Sequence, residues 1–100
     1  MLAHLPIIIL TSLHPTPVAD SVPKFEIARE CQFEGGSKPM QERCAADERQ
    51  ARDQLQKEWA QFAPASRAQC YEETNTDSTP SYVEFLTCLE MARDVKNAQR

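Results

Sequence analysis

An all-α domain, a small helical hairpin or three-helix bundle stapled by two disulfides, is what three features of this sequence predict. Apolar residues recur at helical spacing in two long segments, no segment alternates with the period of two that strands require, and four cysteines flank two turn signals. The chain has 100 residues, 41% hydrophobic and 26% charged, with a mean hydropathy of -0.56. That makes one small domain and excludes a multi-span membrane protein. A domain of this size buries only about 60–70% of its unfolded surface, so cross-links are expected to supplement the core.

The amino end differs from the rest. Every Lys, Arg, Asp and Glu lies from Asp20 onward. Residues 1–19 carry an apolar run from Leu5 to Leu13, a polar stretch holding Pro15 and Pro17, and the small residue Ala19. This is the order of a secretory signal peptide, so cleavage near Ala19 and a periplasmic or secreted location are expected. The alternative is a disordered, Pro-rich N-terminal arm on an intracellular protein. The apolar run falls well short of the roughly 20 residues that span a bilayer, so no membrane span is expected.

Cleavage after Ala19 removes His4 and His14, the only histidines. Without them no Ser-His-Asp or Cys-His nucleophile system and no mixed Cys/His zinc site can be assembled. An all-cysteine zinc site needs closely spaced pairs such as C-x2-C, whereas even the nearest two cysteines, Cys31 and Cys44, are far apart. No metal and no cofactor are therefore expected, and an even cysteine count in a short exported chain reads as two disulfides. Cys31 and Cys44 lie symmetrically about Gly35, Gly36 and Ser37, and Cys70 and Cys88 are centred on Thr79 and Pro80. That symmetry favours Cys31 with Cys44 and Cys70 with Cys88. The crossed alternative, Cys31 with Cys70 and Cys44 with Cys88, stays open. Cys44 with Cys70 is disfavoured by reach, because a helix from Cys44 to Phe62 travels about 27 Å before the chain turns back.

Residues 20–36 are expected to hold a short helix and the Gly-Gly turn, with Phe25, Ile27, Ala28 and Cys31 as its apolar positions. Residues 37–100 form the main helical part, joined by 24–36 in a single domain. Ser37 is a candidate N-cap with Pro39 in the permitted first turn. Met40, Cys44, Ala51, Leu55, Trp59 and Phe62 then mark one long amphipathic helix. Its outer face places Glu48 with Arg52 and Asp53 with Lys57 for i,i+4 pairing, and Pro64 stops it. Ser66 to Glu73 is expected to give one or two helical turns, and Thr74 to Thr79 a polar loop with no core residue. Ser81 with Glu84 fits a capping box for a last helix whose broad apolar face runs through Tyr82, Phe85, Leu86, Cys88, Leu89, Met91, Ala92 and Val95.

No Gly-rich phosphate loop, H-E-x-x-H or G-x-S-x-G is present. Catalysis would have to rest on carboxylates such as Glu42, Asp47 and Glu48, which on a helix read as a solvated face, so the chain is expected not to be an enzyme. A net charge of -4 with scattered Arg argues against nucleic acid. Trp59 and Phe62 stand in register with Leu55 and read as core. The segment Glu72 to Ser81, opening on two adjacent acids and held at its base by Cys70 and Cys88, is the candidate contact with a basic protein partner, through Glu72, Glu73 and Asp77.

The order Cys31, Cys44-Ala45-Ala46, Leu55-x-x-x-Trp59, Arg67-x-x-Cys70 and Cys88-Leu89 with Arg93 resembles the LprI-type exported bacterial proteins, some of which inhibit lysozyme. The resemblance spans about residues 28–95 and implies a non-enzymatic inhibitor of a basic cell-wall hydrolase. The stretch from Trp59 to Arg67 is shorter than the insertion usual in that family. The chain is also similar to small uncharacterised secreted proteins with an Ala-Arg-Glu-Cys opening, here Ala28 to Cys31, and a close such as Leu86 to Arg93. The reading from a different class is a structural helical module that self-associates or packs on a partner protein. Export is tested by the intact mass of the protein from its native host. The expected outcome is loss of residues 1–19, with four thiols alkylated only after reduction, while a full-length chain with free thiols refutes export.

Overall fold

The computed structural model describes residues 21–76 and 79–98, so the expected signal peptide and both histidines lie outside the described residues. The described residues form four helices: α1 (Ile27–Glu34), α2 (Lys38–Glu58), α3 (Pro64–Thr74) and α4 (Tyr82–Ala98). A 3-10 turn, Trp59–Gln61, follows α2 directly. No strand occurs among the described residues. Helix α2 packs against α1 and α4, and α3 packs against α4. The spatial order is thus α1, α2, α4, α3, with the two longest helices in the middle.

Local chemistry explains the boundaries. Gly35 and Gly36 take φ of 78° and 95°, which admit glycine and strain other residues, and the Gly35 amide donates back to Cys31 and Gln32. Ser37 Oγ accepts from the Met40 amide at 3.4 Å, so Ser37 caps α2 with Pro39 in its first turn. Pro64 acts differently from the sequence expectation. The last turn of α2 tightens to 3-10 before it, and Pro64 opens α3, where a missing N–H costs nothing. Helix α3 consequently runs about three turns, longer than expected, and includes Thr74, which is buried.

The core is small and aromatic. Leu55, Phe62, Phe85 and Leu89 are fully enclosed, with Ala51, Cys70 and Tyr82 beside them and Trp59, Tyr71 and Leu86 partly buried against them. Truncating any of the four large side chains would cost about 2–5 kcal/mol. Four residues read as apolar-face positions fall outside this core: Ala28, Met40, Met91 and Val95 are exposed. Pairing of Glu48 with Arg52 is also absent, since Arg52 lies 3.3 Å from Asp53. The far end is tied by Arg93, which bonds Glu58 at 2.8 Å and Gln61 at 3.1 Å and lies over the Phe62 ring. Arg67 spans a second joint, donating to the Trp59 carbonyl at 2.8 Å with its guanidinium 4.8 Å from the indole centroid.

Two disulfides join each outer helix to an inner one. Cys31 bonds Cys44, tying α1 to α2, and Cys70 bonds Cys88, tying α3 to α4. The pairing is sequential and not crossed. Loops of 13 and 18 residues correspond to about 3 kcal/mol each in the chain-entropy account.

The extended segment before α1 is held by one hydroxyl. Tyr82 Oη accepts from the Phe25 amide at 2.8 Å and donates to the Pro23 carbonyl at 2.9 Å, while the Phe25 ring packs 4.6 Å from that of Tyr82. Tyr82→Phe keeps the ring and removes both bonds. It is expected to lower stability by about 1–3 kcal/mol and to release protection of the Phe25 amide, measured by denaturant midpoint and hydrogen exchange. An unchanged Phe25 exchange rate would mean that ring packing alone holds the segment.

Candidate functional site

Ser81 is where three helices meet. As N-cap of α4 it accepts from the Glu84 amide at 3.2 Å, the half of the capping box that the sequence led one to expect. Its carbonyl takes the Thr74 hydroxyl at 3.5 Å, which brings in the end of α3. Its own hydroxyl donates to Glu48 Oε2 at 2.6 Å, which brings in the middle of α2.

Glu48 completes the cap. Its carboxylate accepts from the Tyr82 amide at 2.6 Å and the Val83 amide at 3.4 Å. A side chain distant in sequence therefore satisfies the orphan donors of the first turn of α4 and sits at the positive end of that helix. Glu48 is 3% exposed, against its reading as part of a solvated face. The reason is geometric: it stands three residues before Ala51 and seven before Leu55, on the buried side of α2. Glu42 and Asp47 are exposed, as that reading had them.

Glu30, on α1, is the group that sequence reasoning missed. It is 5% exposed and its carboxyl is raised to about 7. Burial is the largest cause; a hydrogen bond with Glu34 and the negative charges of Glu34 and Glu48 add to it, and a hydrogen bond with Thr79 opposes it. No sequence signal marked it: its burial depends on how α1 packs against α2, and Gln32, on the other side of Cys31, is exposed. Among the described residues no cluster of His, Cys, Asp and Glu is arranged to hold a metal ion.

A second pair of acids stands at the end of α3. Glu72 and Glu73 are exposed, and both belong to the last turn of α3 and not to a loop. Gln69 donates to Glu73 Oε2 at 3.2 Å, and Glu73 Oε1 stands 3.6 Å from Cys88 Sγ. That last contact is no hydrogen bond, because a bridged sulfur carries no proton. Asn75 and Thr76 side chains donate to the Tyr71 and Glu72 carbonyls and close the helix end. Asp77, the third candidate, lies outside the described residues. The two groups are distinct: Glu30 and Glu48 are enclosed by the fold, whereas Glu72 and Glu73 are exposed.

No protein-family model, curated protein or solved structure matches this chain. Among the described residues, no helix is long and apolar enough to cross a membrane.

The Glu30 shift sets the sign of a pH dependence. The folded state binds the Glu30 proton more tightly than the unfolded chain, whose value is the ordinary 4.5. Its contribution is full below 4.5 and is lost as pH rises through about 7, a decline on the order of 3 kcal/mol. Glu58 has the opposite sign, since its hydrogen bond from Arg93 lowers its carboxyl and favours the fold above the ordinary value. Glu30→Gln imitates the protonated carboxyl. It is expected to raise stability at pH 8 and flatten the loss between pH 4.5 and 7, read from denaturant midpoints across that range; the wild-type slope persisting in the variant would assign the dependence elsewhere.

Proposed function

We propose that this chain is a small exported binding protein without catalytic activity, which docks a basic protein through the acidic end of α3. The observation that carries the reading is the placement of Glu72 and Glu73. Both stand exposed in the last helical turn, where the carbonyl end of the helix is already negative and no basic residue is present to offset it. Acids there work against the helix, and an arriving cationic surface relieves that repulsion. The adjacent Cys70–Cys88 bond holds the turn in place, so little conformational entropy is lost on binding. Two disulfides are compatible with an oxidising compartment, periplasmic or secreted.

The similarity to LprI-type exported proteins makes a lysozyme-type cell-wall hydrolase the first partner to test, since such enzymes are basic. The disulfide-intact protein at equimolar ratio is expected to suppress hydrolysis of a cell-wall substrate by lysozyme. Suppression is expected to weaken at high salt and to fall at least tenfold in the E72Q/E73Q/D77N variant. No suppression by the wild-type protein removes the hydrolase as partner. Equal suppression by the triple variant removes the α3 end as the contact.

A further inference from the structure

The outward side of α4 carries apolar side chains that the core does not use. Val83, Met91 and Val95 are 39%, 62% and 58% exposed, and Thr87 lies between the first two at i,i+4 spacing. On either side of this stripe is a shallow hollow. One, of about 370 Å³, lies toward α3 and is lined by Glu73, Val83, Glu84, Thr87, Cys88 and Met91. The other, of about 290 Å³, lies toward α2, where Asp47, Gln50 and Gln54 face Val83, Leu86 and Thr87. Val83 and Thr87 belong to both, so the two hollows form one surface with an apolar centre.

The charge on that surface has one sign. Asp47, Glu73 and Glu84 line its hollows, and no Lys or Arg does. A second copy presenting the same face would set these acids against their equivalents across a two-fold axis, which opposes self-association. An apolar ridge bordered by Lys or Arg fits both properties: its aliphatic side chains would occupy the hollows while its cations meet the three carboxylates.

The geometry points to the outer face of α4, with the adjoining edges of α2 and α3, as the docking surface for a cationic amphipathic helix of another protein. The inference rests on the reading that the partner is basic, and it shares Glu73 with the α3 end. Its apolar part is independent of the hydrolase assignment. A helix laid along α4 would sit in the grooves beside it as neighbouring helices do in globular proteins.

The probe is a synthetic Leu/Lys amphipathic helical peptide, titrated into the full disulfide-intact chain with backbone amide shifts followed by NMR. A Leu/Glu peptide of the same pattern and a scrambled Leu/Lys peptide serve as controls. Shifts are expected at Val83, Thr87, Met91, Gln50 and Gln54 with the Leu/Lys peptide alone. The V83D/M91D variant is expected to weaken binding at least tenfold, and D47N/E84Q to weaken it several-fold and reduce its salt dependence. Both sets of positions are exposed, and retained helicity with both disulfides closed verifies each fold. Equal binding of the Leu/Glu or scrambled peptide, shifts confined to the α3 end, or a concentration-dependent dimer through α4 would each overturn the proposal. Undiminished binding of the Leu/Lys peptide to V83D/M91D would overturn the surface and leave the basic-partner reading standing. Peptide binding on α4 without lysozyme suppression would do the reverse for the hydrolase.

Discussion

The Glu48 carboxylate is the constraint around which this small domain is organised. Burying a charged group costs several kcal/mol unless its oxygens are bonded, and here the bonds come from the Ser81 hydroxyl and the first two amides of α4. The requirement acts in both directions. Helix α4 needs acceptors for its free amides, Glu48 needs donors, and both are met only when the middle of α2 lies against the start of α4. Through Ser81 and Thr74 the same joint fixes where α3 ends. Glu30 then lies close enough to Glu48 for its own charge to be unfavourable, which couples α1 to the protonation state of the interior.

The disulfides complement that joint. Inner helices α2 and α4 supply Leu55, Phe85 and Leu89 to the core, while α1 buries only Glu30 and Cys31 and α3 only Cys70 and Thr74. Each peripheral helix thus has little apolar area of its own to hold it, and each is bonded covalently to an inner neighbour. This distribution follows from size. A core this small encloses two helices well and leaves two at its margin, where a bridge that limits the unfolded ensemble matters most.

Function, on this reading, belongs to the surface. The Glu48 carboxylate is committed to holding helices together, whereas the acids at the end of α3 and the apolar stripe of α4 have no equivalent internal role. Acids at a helix carboxyl end and apolar side chains in water both weigh against stability, and both are relieved by a partner of complementary character.

The sequence by itself determined the helical class, the turn at Gly35 and Gly36, the caps at Ser37 and Ser81, and Leu55, Phe62, Phe85 and Leu89 as core, because these depend on residues a few positions apart. Helical periodicity also drew Met40, Met91 and Val95 into a core that excludes them, since it reports which side chains share a face but not how wide a strip the neighbour covers. Pro64 was legible as a helix boundary, though not as a beginning. What only the tertiary structure decided was the burial of Glu30 and Glu48. Glu48 looks solvated until α4 presents its free amides to it, and those amides belong to a segment more than thirty residues away, while Glu30 is enclosed only once α1 packs against α2.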